Sequence, residues 1–506
     1  MPNARALRLV LPRRPLQISA AALAGRVALA GWCLALAACG GAAGTGSPLG
    51  NGPDTAAASG SPASGSSSSI SPSSASSPSA SASQAQGASP QAASASQTIQ
   101  TSRVGTVIYL QSTYSGHSAR VGLDTAWGGA IVEASFDGTN YVNAYDPGRE
   151  VQASVYDGAA AYDSCSGCTG VWGWNPVQGG DRYGHGSGAL ASTLGADTLY
   201  VKSQPLQWNP DAFGGGRTKA VPSDITVEET VSVVPGAPLA FHFEYEIRYL
   251  GSGQHYNTRQ ELPAVFAVAP TGMLTYYGGI KPWTNGALSQ AQVPALPKMT
   301  ANLYSPEQWA AFTDADNMGL TIYVPGQYPY VSASSMPVGG GGPSGKAYSY
   351  LHPFTSLTFG PSTVYHGNLY LLPGNVNDAR TAVYALHGSV PPVDIFAPIG
   401  NLEAPAHNAV LRGKSARVSG WALDNVAVAD IEVRLDGVTL GHPGLTIRRP
   451  DVVAAYPHLA PLLSGWALQF DSTAFPNGAH ILTVRLTDTS GNVAVLPPVN
   501  VTVSNG

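Results

Sequence analysis

Two stretches near the middle of the chain alternate apolar and polar residues almost one for one: "DITVEETVSVV" from Asp224 and "LAFHFEYEIRYL" from Leu239, separated by "PGAP". A period of two marks a β-strand whose faces meet different surroundings. In the second stretch Leu239, Phe241, Phe243, Tyr245, Ile247 and Tyr249 share one face, while His242, Glu244, Glu246 and Arg248 share the other. The pair predicts an antiparallel hairpin with a core face and a row of ionisable groups. That row is either a solvated face of cross-paired charges or the floor of a ligand groove. A second hairpin is predicted where "AIVEASFDG" meets "TNYVNAYD", because Asp137-Gly138 signals a tight hairpin turn. Short runs of this kind, rich in β-branched and aromatic residues and broken by glycine and proline, continue beyond residue 100 and predict an all-β protein. Only "SPEQWAAF" reads as a helix start, with Ser305 placed to cap, Pro306 at the first helical position and Gln308 completing a capping box.

The prolines in "HGSVPPVDIFAPIG", residues 387–400, divide a large β-sandwich domain, 101–390, from a smaller β-sandwich, 391–506. The short strands of the latter turn at Asp436-Gly437, at "PNG" 476–478 and at "SGN" 490–492. Upstream, residues 39–100 are almost entirely Ser, Ala, Gly, Pro, Thr and Gln. Such a segment cannot bury enough surface to offset its chain entropy and is expected to be a disordered tether. About 60 flexible residues give a root-mean-square reach of about 40 Å. Residues 1–38 carry arginines at 5, 8, 13, 14 and 26, no acidic residue, and an apolar run, Val27–Ala38, too short for a permanent membrane span. They read as an export signal.

Removing that signal takes five of the 25 basic residues and none of the 30 acidic ones, so 20 remain against 30 and the mature net charge is about −10. This sign argues against a nucleic-acid partner, which needs a basic surface. Of the four cysteines, Cys33 leaves with the signal and Cys39 stands at its end. Cys165 and Cys168, in "YDSCSGCTG", are expected to close a small disulfide loop in an oxidising compartment. A zinc half-site there would need two more ligands, so no metal site and no cofactor are predicted, with a structural calcium ion left open.

The stretch "WGWNPVQGGDRYGHG", 172–186, suits neither helix nor strand, yet it gathers Trp172, Trp174, Asn175, Gln178 and Asp181. "WNP" recurs at 208–210, bringing Trp208 and then Asp211, and Arg149 lies in a loop upstream. Sugars present a flat patch of C–H bonds and a rim of hydroxyls, which aromatic faces and hydrogen-bonding side chains recognise together. A second cluster follows the polar-faced strand: "GSGQHYNTRQELPAVFA", 251–267, with His255, Tyr256, Arg259 and Glu261. His and Glu supply an acid and a base at accessible pKa values. "YYGGIKPWTNG", 276–286, adds Tyr277 and Trp283. The chain has no GxSxG elbow and no HExxH helix, and "GGGGPSGK", 339–346, lacks the hydroxyl residue of a phosphate loop.

Three resemblances sharpen these expectations. "LAAC", Leu36 to Cys39, resembles the lipobox of bacterial lipoproteins, which implies that Cys39 becomes the lipidated first residue. "SGWALDNVAVADIEVRLDG" from Ser419, "RRPDVVAAYP" from Arg448 and "FPNGAHILTVRLTDTSGN" from Phe475 resemble the bacterial Ig-like modules of secreted proteins, which implies a spacer role and core positions for Trp421 and Trp466. The layout as a whole resembles, by architecture, the galactose-mutarotase-like supersandwich group of carbohydrate-active proteins. Together they imply a lipid-anchored protein of the bacterial cell envelope that acts on a poly- or oligosaccharide, as a glycoside hydrolase or a polysaccharide lyase. A non-catalytic glycan-binding lipoprotein or adhesin is the alternative. In a hydrolase Glu261 would pair with Asp181 across the glycosidic bond, with Glu244 and Glu246 as further carboxylates. In a lyase His255 or Tyr256 would take a proton alpha to a uronate carboxylate that Arg149 or Arg259 neutralises. Both versions require these loops to converge on one aromatic-walled trough.

Overall fold

A computed structural model describes residues 96–148, 150–159, 173–268, 272–296, 298, 300, 302–389 and 393–506. The export signal, most of the tether and Cys39, Arg149, Cys165, Cys168 and Trp172 lie outside the described residues. Of the described residues 53% are strand and 8% helix, in agreement with the all-β expectation. The first strand, Thr98–Val104, begins inside what the sequence assigns to the tether and opens a five-stranded antiparallel meander that ends at Thr139–Asn140.

Two larger sheets face each other across one core. The nine-stranded sheet centres on the predicted hairpin, Ile225–Val234 and Ala237–Tyr249, with Val364–Asn375 on its other flank. The eight-stranded sheet is built around Val151–Ser154, His255–Val268, Tyr348–Pro353 and Tyr330–Met336. Phe241, Phe243, Ile247 and Leu371 of the first meet Val265, Ala333 and Leu351 of the second in one buried cluster. The ionisable row of the hairpin points away from that core. Glu246 pairs with Arg248 at 2.6 Å, His242 contacts Asn368 at 2.7 Å and stacks on Tyr370, and Glu244 is exposed. It is the solvated face of paired groups. The Asp137-Gly138 turn also forms as expected, with φ of 47° and 83°.

The helix expected from Ser305 does not form. Ser305 Oγ donates to the Trp309 carbonyl at 2.7 Å across a tight turn in which Gln308 adopts a φ of 60°, and Trp309–Thr313 is a strand. All five residues of that strand are buried, which a helix with one solvent face could not achieve for "WAAF", so tertiary burial overrides the cap signal. The long helix lies instead at Val376–Ser389 and buries Val376, Ala379, Arg380, Val383 and Leu386 at helical spacing.

Residues 399–503 form a second sandwich of a four-stranded and a six-stranded sheet, with Val418, Val433, Trp466 and Leu482 in its centre. Pro450 opens its short helix, Pro450–Ala455. The two sandwiches are not beads on a string. Ile399, Trp421, Leu423, Val452 and Tyr456 of the smaller one belong to the same buried cluster as Tyr328, Tyr330 and Phe354 of the larger. A chain that ends at residue 392 would expose those three rings, each at most 3% accessible here. We expect it to be insoluble or molten, visible as lost near-ultraviolet circular dichroism.

Candidate functional site

The strand His255–Val268 carries most of the chemistry, and two irregularities decide where its side chains point. Glu261 pairs with Ser154 while Ala264 pairs with Gln152, so one extra residue is accommodated between them. This turns Glu261 to the outer face, beside Phe266 and Tyr350, while Val265 stays in the core. A second shift lies between His255 and Thr258 and leaves His255 against the core ring of Phe359. Tyr156 and Asp157 diverge in the same way, Tyr156 towards Glu261 and Asp157 towards His255. The expected single trough is therefore divided into two groups on opposite sides of one sheet.

On the core side, the His255 ring lies flat on Trp174 with centroids 3.7 Å apart, and Tyr249 meets it edge-on. His255 Nδ1 is 2.9 Å from Asp157 Oδ2, and Nε2 is 3.5 Å from Asp224 Oδ2. Trp174 Nε1–H donates to Asp224 Oδ1 at 2.8 Å, and the Tyr256 backbone N–H donates to Asp157 Oδ1. Burial disfavours the imidazolium, but the Asp157 contact and the nearby Asp224 carboxylate outweigh it and raise the His255 pKa. Asp224 leads into the nine-stranded sheet and Asp157 follows a strand of the eight-stranded one, so the group is a clamp between sheets. His255→Ala should lower thermal stability more than it lowers activity. Because the folded pKa is raised, the stability contributed by His255 is complete below about pH 6.5 and fades as pH rises through the raised value. The gap in Tm between wild type and variant should be wider at pH 5.5 than at pH 8.5.

The remaining expected residues have structural duties. Trp174 and Trp208 are 5% and 7% exposed, and Trp174 packs in the main core cluster, so neither turns an open ring face to solvent. Asn175 Nδ2 donates to Ser154 Oγ and the Val155 carbonyl. Gln178 is buried, its Nε2 donating to Gly128 and Glu229 while its Oε1 accepts from Ala153 N–H. Asp181 caps its own turn, accepting the N–H groups of Tyr183 and His185 and lying 2.7 Å from His185 Nδ1, so it does not pair with Glu261. Asp211 is exposed and accepts the Tyr183 hydroxyl. Tyr277 and Trp283 pack with the helix Val376–Ser389 away from both groups, Trp283 stacking on His387 at 3.6 Å and donating its backbone N–H to Glu307. Glu244 and Glu246 stand on the outer face of the other sheet.

What the strand does assemble, on its outer face, is a buried polar floor. Glu261 lies near the Tyr350 and Tyr156 hydroxyls, and burial, against the opposing influence of those hydroxyls, lifts its pKa to about 7. Ser154 Oγ is 3.2 Å from the Tyr156 hydroxyl. Two residues before Glu261, the Arg259 guanidinium lies 3.7 Å above the Phe354 ring and donates to Ser332 Oγ and Asn302 Oδ1 at 3.1 and 2.6 Å. The register sets Ser332 beside His352 and Ser334 beside Tyr350 on the neighbouring strands. Burial first, and then Arg259, drive the His352 pKa down to about 3, so the ring is neutral. Its Nδ1 faces the Pro353 carbonyl, while its Nε2 and the Ser334 hydroxyl are buried without a partner. Glu261, Arg259 and Asn175 stood out in the sequence. Tyr156, Ser332, Ser334, Tyr350 and His352 did not, although "YSYLHPF" alternates Tyr348, Tyr350 and His352 with buried residues at period two.

Among the described residues, one group of carboxylates could hold a cation. Asp394, Asp424 and Asp488 bring oxygens within 4.8 Å of one another where the small sandwich begins, and burial, reinforced by the two neighbouring charges, raises Asp424 to about 6.

No family model matches the chain, and no curated protein matches it. Among solved structures, an aldose 1-epimerase from Klebsiella pneumoniae aligns at 11% identity over 58% of this chain and 88% of its own, with a TM-score of 0.32. A polysaccharide lyase aligns at 10% identity over 77% of this chain and 46% of its own, with a TM-score of 0.27. Fibronectin(III)-like modules from Clostridium thermocellum align at 12% identity over 21% of this chain and 94% of their own, with a TM-score of 0.16. The chain thus spans less than half of the lyase it overlays. At these scores the functional reading rests on this chain's own side chains.

Proposed function

We propose that this protein is exported, anchored through a lipid on Cys39, and acts on a poly- or oligosaccharide laid over the outer face of the eight-stranded sheet. Glu261 is the acid-base group and the Tyr156 and Tyr350 hydroxyls are its proton partners. The observation that carries this reading is Glu261 itself: a buried carboxyl with a pKa of about 7, with two phenols near it on a floor of hydrogen-bonding groups. Such a pKa lets one group both take and return a proton near neutral pH. The hydroxyl-rich, neutral neighbours suit a polyol ligand.

The test is to incubate the protein with a polysaccharide panel and to follow both new reducing ends and the ultraviolet absorbance of unsaturated products. Release of either, abolished in Glu261→Gln, supports the reading. Retention of a glycan on affinity gels without turnover would make the protein a binding lipoprotein, and neither retention nor turnover would remove the saccharide. For the anchor, Cys39→Ser should shift the protein from the membrane to the soluble envelope fraction.

A further inference from the structure

The charge of Arg259 has no counterpart. Three other arginines of this fold sit against carboxylates: Arg120 on Glu133, Arg380 on Glu307, and Arg449 on Glu403 and Asp451. Each of those guanidinium groups has its pKa raised, whereas burial lowers that of Arg259 to about 10. Its hydrogen-bond partners, Ser332 and Asn302, are neutral, and Phe354 beneath it is apolar. Among the described residues no carboxylate pairs with it, and Glu261, two residues along the same strand, lies near Tyr156 and Tyr350 instead. Arg259 is half-buried, so its charge, held by neutral partners, remains open to an outside anion. The fork of a guanidinium fits a carboxylate through two parallel hydrogen bonds.

We infer that Arg259 receives the carboxylate of an acidic sugar at the seam between the two sandwiches, so that the ligand of the floor is a uronate-containing saccharide. This rests on the saccharide reading above and narrows it. Tyr456, contributed by the small sandwich, packs against Phe354 and borders the guanidinium, and His458 packs on Tyr304. The small sandwich is thereby a wall of the site and not a spacer. Residues two apart on a strand lie about 7 Å from each other, which puts Glu261 within a sugar ring of the bound carboxylate. The class of reaction that follows is β-elimination. A base on the floor takes the proton alpha to the carboxylate, the C–O bond to the departing sugar breaks as a C=C bond forms, and an acid returns a proton to the leaving oxygen.

The experiment uses the full chain and isothermal titration calorimetry with oligogalacturonate, oligoglucuronate and oligomannuronate, each beside its carboxyl-reduced form. The expected result is at least tenfold tighter binding of one acidic oligosaccharide than of its reduced form, with Arg259→Met erasing that preference while keeping affinity for the reduced form. Equal affinity within every pair would overturn the carboxylate and leave the saccharide reading standing. Binding of neither form in any pair would overturn both. A ligand-free melt provides a second check. Arg259→Met should leave Tm unchanged or raise it, because it removes an uncompensated charge, and a large drop would mark the guanidinium as a structural tie and end the proposal.

Discussion

Glu261→Gln should reduce turnover by at least two orders of magnitude while leaving the fold intact. General acid-base groups contribute about 10²- to 10⁴-fold when their pKa lies near the working pH, and burial puts Glu261 at about 7. Glutamine keeps the shape and the hydrogen-bonding capacity of the side chain, but it cannot exchange a proton. It also removes the cost of ionising a buried carboxyl, so the variant should melt no lower than wild type. The raised pKa also sets where the pH profile turns. If Glu261 acts as base, kcat/KM climbs as pH rises through about 7, and if it acts as acid, it falls over the same interval. Tyr156→Phe should retain a weakened form of that profile, since the second phenol, Tyr350, remains. A Glu261→Gln protein with undiminished turnover on the polysaccharide that wild type degrades would assign the residue to packing and dissolve the site.

How far the sequence revealed this arrangement follows from the physics of each signal. Period-two alternation located the central hairpin, its core face and its solvated face, because register in a half-buried strand is enforced along its whole length. Asp137-Gly138 located a turn because few residues tolerate its backbone angles. The tryptophan stretch misled. Aromatic and amide side chains in a glycine-rich segment serve equally to bind a sugar and to seal the end of a sandwich, and only burial tells the two apart. Glu261 and His255 lie six residues apart and looked like partners, but the extra residue near Ser154 and the shift near Thr258 send them to opposite faces. A bulge leaves no mark in the hydrophobic pattern until the partner strand is known. The floor itself draws on strands separated by as much as 200 positions, so its assembly is a property of topology rather than of any local motif.

The same burial that tunes Glu261 should make the whole protein most stable in mildly acid solution. Glu229 lies in the core, one oxygen 2.6 Å from Gln178 Nε2 and the other without a partner, and burial lifts its pKa to about 8. Glu150 is lifted to about 8 for the same reason. A carboxyl whose folded pKa is raised favours the native state fully below its unfolded value, and that contribution is lost as pH climbs through the folded one. For Glu229 the window runs from 4.5 to about 8, and at about 1.4 kcal/mol per unit the ceiling on the loss is roughly 5 kcal/mol. His255 adds to the decline on the same side, while Asp224, with its lowered pKa, takes stability away below the ordinary carboxylate range, and His352, held at about 3, takes it away below about pH 6.5, where the two raised carboxyls outweigh it down to about pH 4.5. Denaturant melts should therefore peak between about pH 4 and 6 and fall steadily towards pH 9. Glu229→Gln, which mimics the protonated side chain, should flatten that fall and show its largest gain over wild type at pH 8 to 9, with little difference at pH 5. Parallel curves for the two proteins across this range would mean that Glu229 is solvated or paired in solution, and that the core around Gln178 is more open than its packing implies.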